Sequence, residues 1–418
     1  MTRKLLAKQD SDPRADRAAS KGVLGDAFEQ GCILWLRMRR TRTPKLEESA
    51  MRRLFCLTTV LAMVPFTLNT PAFALGPEQE QLDTSVEKGV AYLKSTQLDD
   101  GSWTSPTQPG ITGLVLYGLA VSEVPADDSV MAKGLKHLES HIQPDGGIYY
   151  EKSTHKNYET AISLMALQAA DPDGRYQETI AKAAEFLKNL QWDEDEVGDK
   201  SDPAYGGSGY GGHSRPDLSN TTFFLEAMRA AGVSSSDPAI EKALVFVSRC
   251  QNLESKYNDT EFADKVNDGG FYYTPAAGGT SQAGQTPNGG LRSYASMTYA
   301  GLKSMIYAGL TPEDPRVKAA TDWIRKFYTL EENPGMGQQG LFYYYQTFAK
   351  ALDTLGVDEF EEASGIKHDW RRELAEHLFS IQREDGSWVN PAERWLEGNP
   401  ELVTAYTLMA LNHCEPQN

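Results

Sequence analysis

The chain has 418 residues, 41 Lys and Arg against 58 Asp and Glu for a formal net charge of −17, 40% hydrophobic residues, 36 Gly and 4 Cys. This composition excludes a disordered tail, a collagen-like rod and a disulfide-stapled mini-protein, each of which needs a far more skewed one. The acidic balance also argues against a nucleic-acid binder, whose affinity comes from clustered Lys and Arg that displace counterions from phosphates.

Residues 1–50 are of mixed charge with a lone apolar patch at Ile33 to Leu36, and match neither a domain nor a targeting segment. They read as a non-native extension, with Met51 as the initiator. From Met51 the basic pair Arg52-Arg53, an apolar run and the small-x-small triplet Ala72-Phe73-Ala74 make the three parts of a secretory signal peptide over 51–74. Pro65, Asn69 and Pro71 interrupt the run, leaving less than the ~20 apolar residues a membrane span needs. Cleavage after Ala74 leaves a single domain, 75–418, with 28 Lys and Arg against 51 Asp and Glu and no stable transmembrane span. The expected location is therefore outside the cytoplasm: periplasm, cell envelope or extracellular space. Cys250 and Cys414 survive cleavage, at a spacing that matches no metal motif.

From Lys88 onward one pattern recurs six times. KGVAYLKSTQLDDGSW (from Lys88), KGLKHLESHIQPDGGIYY (Lys133), KAAEFLKNLQW (Lys182) and KALVFVSRCQN (Lys242) share a register, with weaker copies from Lys318 and His377. Each copy has apolar residues at helical spacing on one face and stops at a glycine turn. After each comes a second helix that is apolar nearly all round, starting at Ile111, Tyr158, Ser219, Tyr294, Phe342 and Leu402. A helix without a polar face has to be covered on all sides. Six such helices inside six amphipathic ones predict an all-α fold, a closed α6/α6 toroid; an open solenoid would need polar capping repeats, and none is evident. The connectivity gathers the N-termini of the inner helices at one mouth, together with the long connections 192–216 and 252–290. Long loops of this kind in compact domains are usually functional or disordered, so the mouth is where a site is expected. Cys250 and Cys414 fall at opposite mouths, too far apart to bridge.

The spacing around Gln97 and Trp103, nearly repeated by Gln382 and Trp388, resembles the QW repeat of squalene-hopene and other triterpene cyclases; Gln191 and Gln251 keep the glutamine without the tryptophan. The resemblance implies the same toroid, with each glutamine ending an outer helix and each tryptophan stacking over it. Those cyclases carry DxDD at the start of an inner helix, and its middle Asp protonates the polyene. Asp217 matches the first Asp, but Ser219 and Asn220 occupy the next two positions, and a serine hydroxyl is no substitute for a carboxylic acid. Related protein prenyltransferase β-subunits hold zinc with Asp, Cys and His. The matching stretch from Gly289 has neither Cys nor His, so no metal and no cofactor are expected. GMGQQ at Gly335 to Gln339 is similar to the GCGEQ of complement-type thioester domains, with Met336 replacing the nucleophilic cysteine.

The candidate site follows. Tyr210, His213, Arg215 and Asn220 with Asp217 form a polar rim over an apolar cavity, unless Asp217 merely caps its helix with Arg215 as its partner. Tyr150, Tyr273 and Tyr343, from aromatic clusters at what reads as one repeat position, line the cavity or plug the gaps between helix pairs. Glu159 is the second carboxylate that could face the cavity, and Asp217 and Glu159 are the candidate acids. The acidic run Trp192 to Pro203 reads as a solvated loop. Three readings remain open at this point: a binder of a hydrophobic small molecule or isoprenoid-like lipid, a terpenoid cyclase or isomerase with a non-standard acid, and a cell-envelope interaction protein with a filled barrel.

Overall fold

The computed structural model describes residues 75–211 and 214–417. Six outer helices alternate with six inner ones. The outer set is α1 (Gln79–Ser95), α3 (Ser129–Glu139), α5 (Gln177–Lys188), α8 (Pro238–Arg249), α10 (Pro315–Phe327) and α12 (Trp370–Ser380). The inner set is α2 (Pro109–Val121), α4 (Lys156–Ala169), α7 (Leu218–Ala230), α9 (Ala295–Tyr307), α11 (Leu341–Leu355) and α13 (Pro400–Leu411). Small elements decorate the connections: the one-turn α6 (Glu194–Val197), β1 (Phe360–Glu361) paired antiparallel with β2 (Lys367–His368), and a 3₁₀ turn (Arg394–Leu396). Each inner helix packs on the next, and α13 packs back on α2, so the ring closes. This is the α6/α6 toroid that the repeat predicts.

The glutamines weld neighbouring pairs. Gln97 Nε2 donates to the Gly101 carbonyl of its own turn and to the Val130 carbonyl in the first turn of the next outer helix, at 3.1 and 2.9 Å. Gln191 and Gln251 repeat the double bond to Gly206 and Ala239 and to Gly269 and Arg316. Gln382 makes it to Gly386 and Ser85, joining the last outer helix to the first. Taken by these bonds, the fifth copy registers one residue later than its sequence alignment from Lys318: Ala319 stands where Lys133 and Lys242 stand.

Five of the six pair contacts also hold one aromatic ring against a glycine, and the chain supplies it in two ways. After α1 and α12 the turn ends in Trp103 and Trp388, both fully buried, whose Nε1 atoms donate to the Leu93 and Leu378 carbonyls at 2.8 Å. Their rings lie over Gly134 and Gly89 of the next outer helix, where a Cβ would come within 3.1 and 3.0 Å of the indole. In three other repeats the turn carries a second glycine, Gly147, Gly207 or Gly270, and the ring comes from the outer helix as Phe186, Phe246 or Trp323. Wherever the large residue sits, the opposing backbone is bare. Cys250 and Cys414 are buried and unpaired, and burial pushes both thiols up.

Candidate functional site

The two long connections meet at the mouth. The Leu218 amide donates to the Tyr273 carbonyl at 2.8 Å, and Thr274 Oγ1 to the Pro216 carbonyl at 2.7 Å. The Asn157 amide at the start of α4 donates to the Tyr210 carbonyl at 2.9 Å. These bonds gather Tyr210, Arg215, Asp217, Asn220 and Tyr273 into one cluster. His213 lies outside the described residues.

Asp217 is the N-cap of α7, as the capping reading has it: Oδ1 accepts from the Asn220 amide at 2.9 Å and Oδ2 from Asn220 Nδ2 at 2.8 Å. Arg215 leans over the Tyr273 ring, its guanidinium 5.6 Å from the centroid. Burial pushes the Asp217 carboxyl up to about 6, against the opposing pull of Asn220, Tyr273 and Arg215. Several buried polar atoms here have no hydrogen-bond partner: both amide atoms of Asn157, Ser208 Oγ, Arg215 Nη1 and Asn220 Oδ1.

Because the folded-state value of Asp217 lies above its ordinary 3.8, the native protein binds this proton more tightly than the unfolded chain. Stability therefore falls as pH rises through the window from 3.8 to about 6. Asp217→Asn keeps an equally good cap and removes the ionisation cost. It should gain on the order of 1–2 kcal/mol over the wild type between pH 4 and pH 8, after losing some helix-dipole attraction. Urea titrations of both proteins at the two pH values check this; parallel pH profiles would contradict it.

Below the cap, four inner helices each send one ring into the barrel. Phe223 of α7 lies 5.3 Å from Tyr158 of α4 and 6.4 Å from Tyr343 of α11, which lies 6.0 Å from Tyr406 of α13. The Tyr343 hydroxyl meets Ser219 Oγ at 3.1 Å, so the serine at the middle-acid position bonds to a phenol. The aromatic clusters are not equivalent, contrary to the sequence alignment. Tyr149, Tyr150 and Phe271 to Tyr273 precede inner helices, whereas Tyr343 to Tyr345 lie within one. Tyr150 is half-buried, and its amide donates to Glu159 Oε2 at 3.0 Å; Ser153 Oγ donates to Oε1 at 2.6 Å. Both Glu159 oxygens are thus engaged by the 150–153 turn, and burial pushes this carboxyl up.

Deeper in the barrel stands a charged group that the sequence analysis missed. Glu226 of α7 accepts from Lys303 of α9 through Oε1 and from Lys350 of α11 through Oε2, and all three are buried. Burial alone would raise Glu226, but the two ammonium groups hold it at about 2. Burial pulls Lys303 down to about 8 despite Glu226. The signal was present: each of these charges stands among buried, mostly apolar residues of an inner helix, and such a charge has to find a partner.

Fold and site together define a closed α/α toroid with an acid-capped, aromatic-floored mouth. Residues 104–274, which include Tyr210, Asp217 and Tyr273 of that mouth, match the family model of the squalene-hopene cyclase C-terminal domain. The solved structures similar to this chain include type II terpene cyclase MstE from Scytonema, at 14% identity over 80% of this chain and 98% of that one, TM-score 0.47. Candida albicans protein geranylgeranyltransferase-I, complexed with GGPP, aligns at 13% identity over 78% and 89%, TM-score 0.49. A protein from Actinoplanes aligns at 15% over 80% and 99%, TM-score 0.45.

Proposed function

We propose that the chain is an exported toroid that holds an amphipathic, isoprenoid-like ligand at its mouth and does not cyclise it. The observation that carries this reading is the set of partnerless polar atoms on Asn157, Ser208, Arg215 and Asn220 together with the rings of Tyr158, Phe223, Tyr343 and Tyr406, Asn157 standing next to Tyr158 on α4 and Asn220 three residues before Phe223 on α7. Polar donors and acceptors beside π faces suit a ligand with a small polar head and an unsaturated hydrocarbon body. Two features count against cyclisation. Both Asp217 oxygens serve the helix cap, and two ammonium groups against one carboxylate put excess positive charge where a carbocation would form. Export is proposed from the signal over 51–74. The first residues after that signal are tied to the domain, Leu75 being bridged to Gln417 and the Gly76 amide bonded to Asp369. Among the described residues no helix is long and apolar enough to cross a membrane.

The test is solvent extraction of the purified full chain with mass spectrometry, followed by incubation with squalene and with geranylgeraniol. Retention of an isoprenoid, unchanged in mass and ring count and lost in Phe223→Ala and Tyr343→Ala, is the expected result. A cyclic product that disappears in Asp217→Asn would establish the enzyme reading instead. Failure to retain any isoprenoid would favour the filled-barrel reading, which the mutual contact of the four rings supports.

A further inference from the structure

The connection from Trp388 to α13 is a strap laid across the mouth. It follows an outer helix, ends at the N-terminus of an inner one, and touches three other connections on the way. Asn390 Nδ2 donates to the Gln338 carbonyl at 2.7 Å, and Asn399 Nδ2 to Thr104 Oγ1 at 2.9 Å. The Arg394 guanidinium donates to Gln339 Oε1 at 2.6 Å and to Gln282 Oε1 at 2.5 Å. The Arg394 and Asn399 bonds are exposed to water, where protein and solvent partners exchange at little net cost.

The same strap holds the first turns of two ring-bearing helices. Glu397 is 1% exposed, and its Oε1 accepts from the Tyr343 amide at 2.8 Å. The strap, not α11 itself, thus satisfies an amide that a helix start leaves without an acceptor. Asn399 caps α13 by accepting from the Leu402 amide at 2.8 Å. Tyr343 and Tyr406, two of the four rings, stand on these helices.

Between those anchors the backbone is strained. Trp395 and Leu396 have φ of 58° and 65°, the left-handed region that is unfavourable for a residue with a Cβ. Burial does not offset this, since the two side chains are 43% and 59% exposed. Trp395 leans on Gly340, where a Cβ would come within 3.1 Å of its ring. Consecutive strained residues, exposed fastenings and an apolar tip at the entrance suit a segment that moves.

We infer that residues 389–399 form a lid that lifts as a unit, freeing the first turns of α11 and α13 and opening a way from the mouth to Tyr343 and Tyr406. The bonds of Glu397 set the closed state, and the left-handed strain favours release. What passes under the lid rests on the isoprenoid reading above; the lifting itself does not.

Hydrogen exchange on the full chain, in rising urea below the unfolding transition, tests the lid. The amides of 341–343 and 390–399 should exchange together, with weaker urea dependence than the middle of α11. Leu396→Gly, which adopts the left-handed backbone freely, should slow exchange at 341–343 by roughly five-fold. Arg394→Ala, which removes two fastenings, should speed it by roughly five-fold. Stopped-flow mixing with geranylgeraniol, followed by tryptophan fluorescence, should show on-rates that change in the same order. Exchange at 341–343 that the two variants leave unchanged, or that occurs only with global unfolding, would overturn the lid. So would geranylgeraniol on-rates that stay constant while exchange shifts. If geranylgeraniol does not bind at all, the ligand reading falls and the exchange data alone decide the lid.

Discussion

Glu226→Gln should cost about 3–5 kcal/mol of folding free energy, because it leaves two buried ammonium groups without their carboxylate. The folded chain would respond by shedding a proton, and the pH dependence should show which one. In the wild type burial already holds Lys303 at about 8, below its ordinary 10.5. The native state therefore binds fewer protons than the unfolded chain between those values, and stability rises with pH across that window. Without Glu226 the native value falls further and the window opens at lower pH. Urea titrations at pH 7 and pH 9.5 should thus find the variant severely destabilised at the first and partly recovered at the second. A variant as stable as the wild type at pH 7 would mean that the three charges are not coupled. Replacing the whole group, Glu226→Leu with Lys303→Met and Lys350→Met, should be close to neutral, since well-packed apolar residues commonly equal or exceed a buried ion pair in stability. That contrast assigns the loss in the single variant to stranded charge rather than to lost packing.

The same group shows what the sequence did and did not disclose. Helix periodicity and apolar surroundings were enough to sort inner from outer helices at Ile111, Tyr158 or Leu402, because burial on all faces leaves a compositional trace on each helix alone. The partnership of Glu226, Lys303 and Lys350 leaves none: it depends on three helices arriving around one axis, with residues 77 and 124 positions apart brought into contact. Asp217 was legible as a cap from its place before an apolar run, whereas its shifted acidity comes from burial under a second loop. Glu159 shows the limit of local reading. A carboxylate in the first turn of an inner helix could point inward or back toward the preceding turn, and Tyr150 and Ser153 draw it back. The complementarity of Trp103 with Gly134 and of Trp388 with Gly89 was written in the repeat itself, as glycine in the outer helix and tryptophan after the turn, but the rings sit on the neighbouring copy.

Trp388→Ala should cost about 3–5 kcal/mol, the usual loss when a fully buried large aromatic is truncated to alanine. The loss combines a cavity against Gly89 with the loss of the indole hydrogen bond to the Leu378 carbonyl. Trp103→Ala removes the same ring, the same kind of bond to Leu93 and the same glycine contact at Gly134, so the two variants should be nearly equal at equilibrium. Their kinetics should differ. Trp103 joins pairs adjacent in the chain, whereas Trp388 belongs to the seam where Gln382 meets Ser85 across 297 positions. Contacts of long sequence separation pay loop-closure entropy before they are rewarded, so the seam forms late. A late contact is absent from the transition state, and its loss appears in the unfolding rate; an early one appears in the folding rate. Chevron plots should therefore show Trp388→Ala raising the unfolding arm by a factor of roughly 100 or more, with Trp103→Ala lowering the folding arm. If both substitutions moved the same arm by the same amount, the ring would be closing concurrently with its local pairs, and the seam would have no special place in folding.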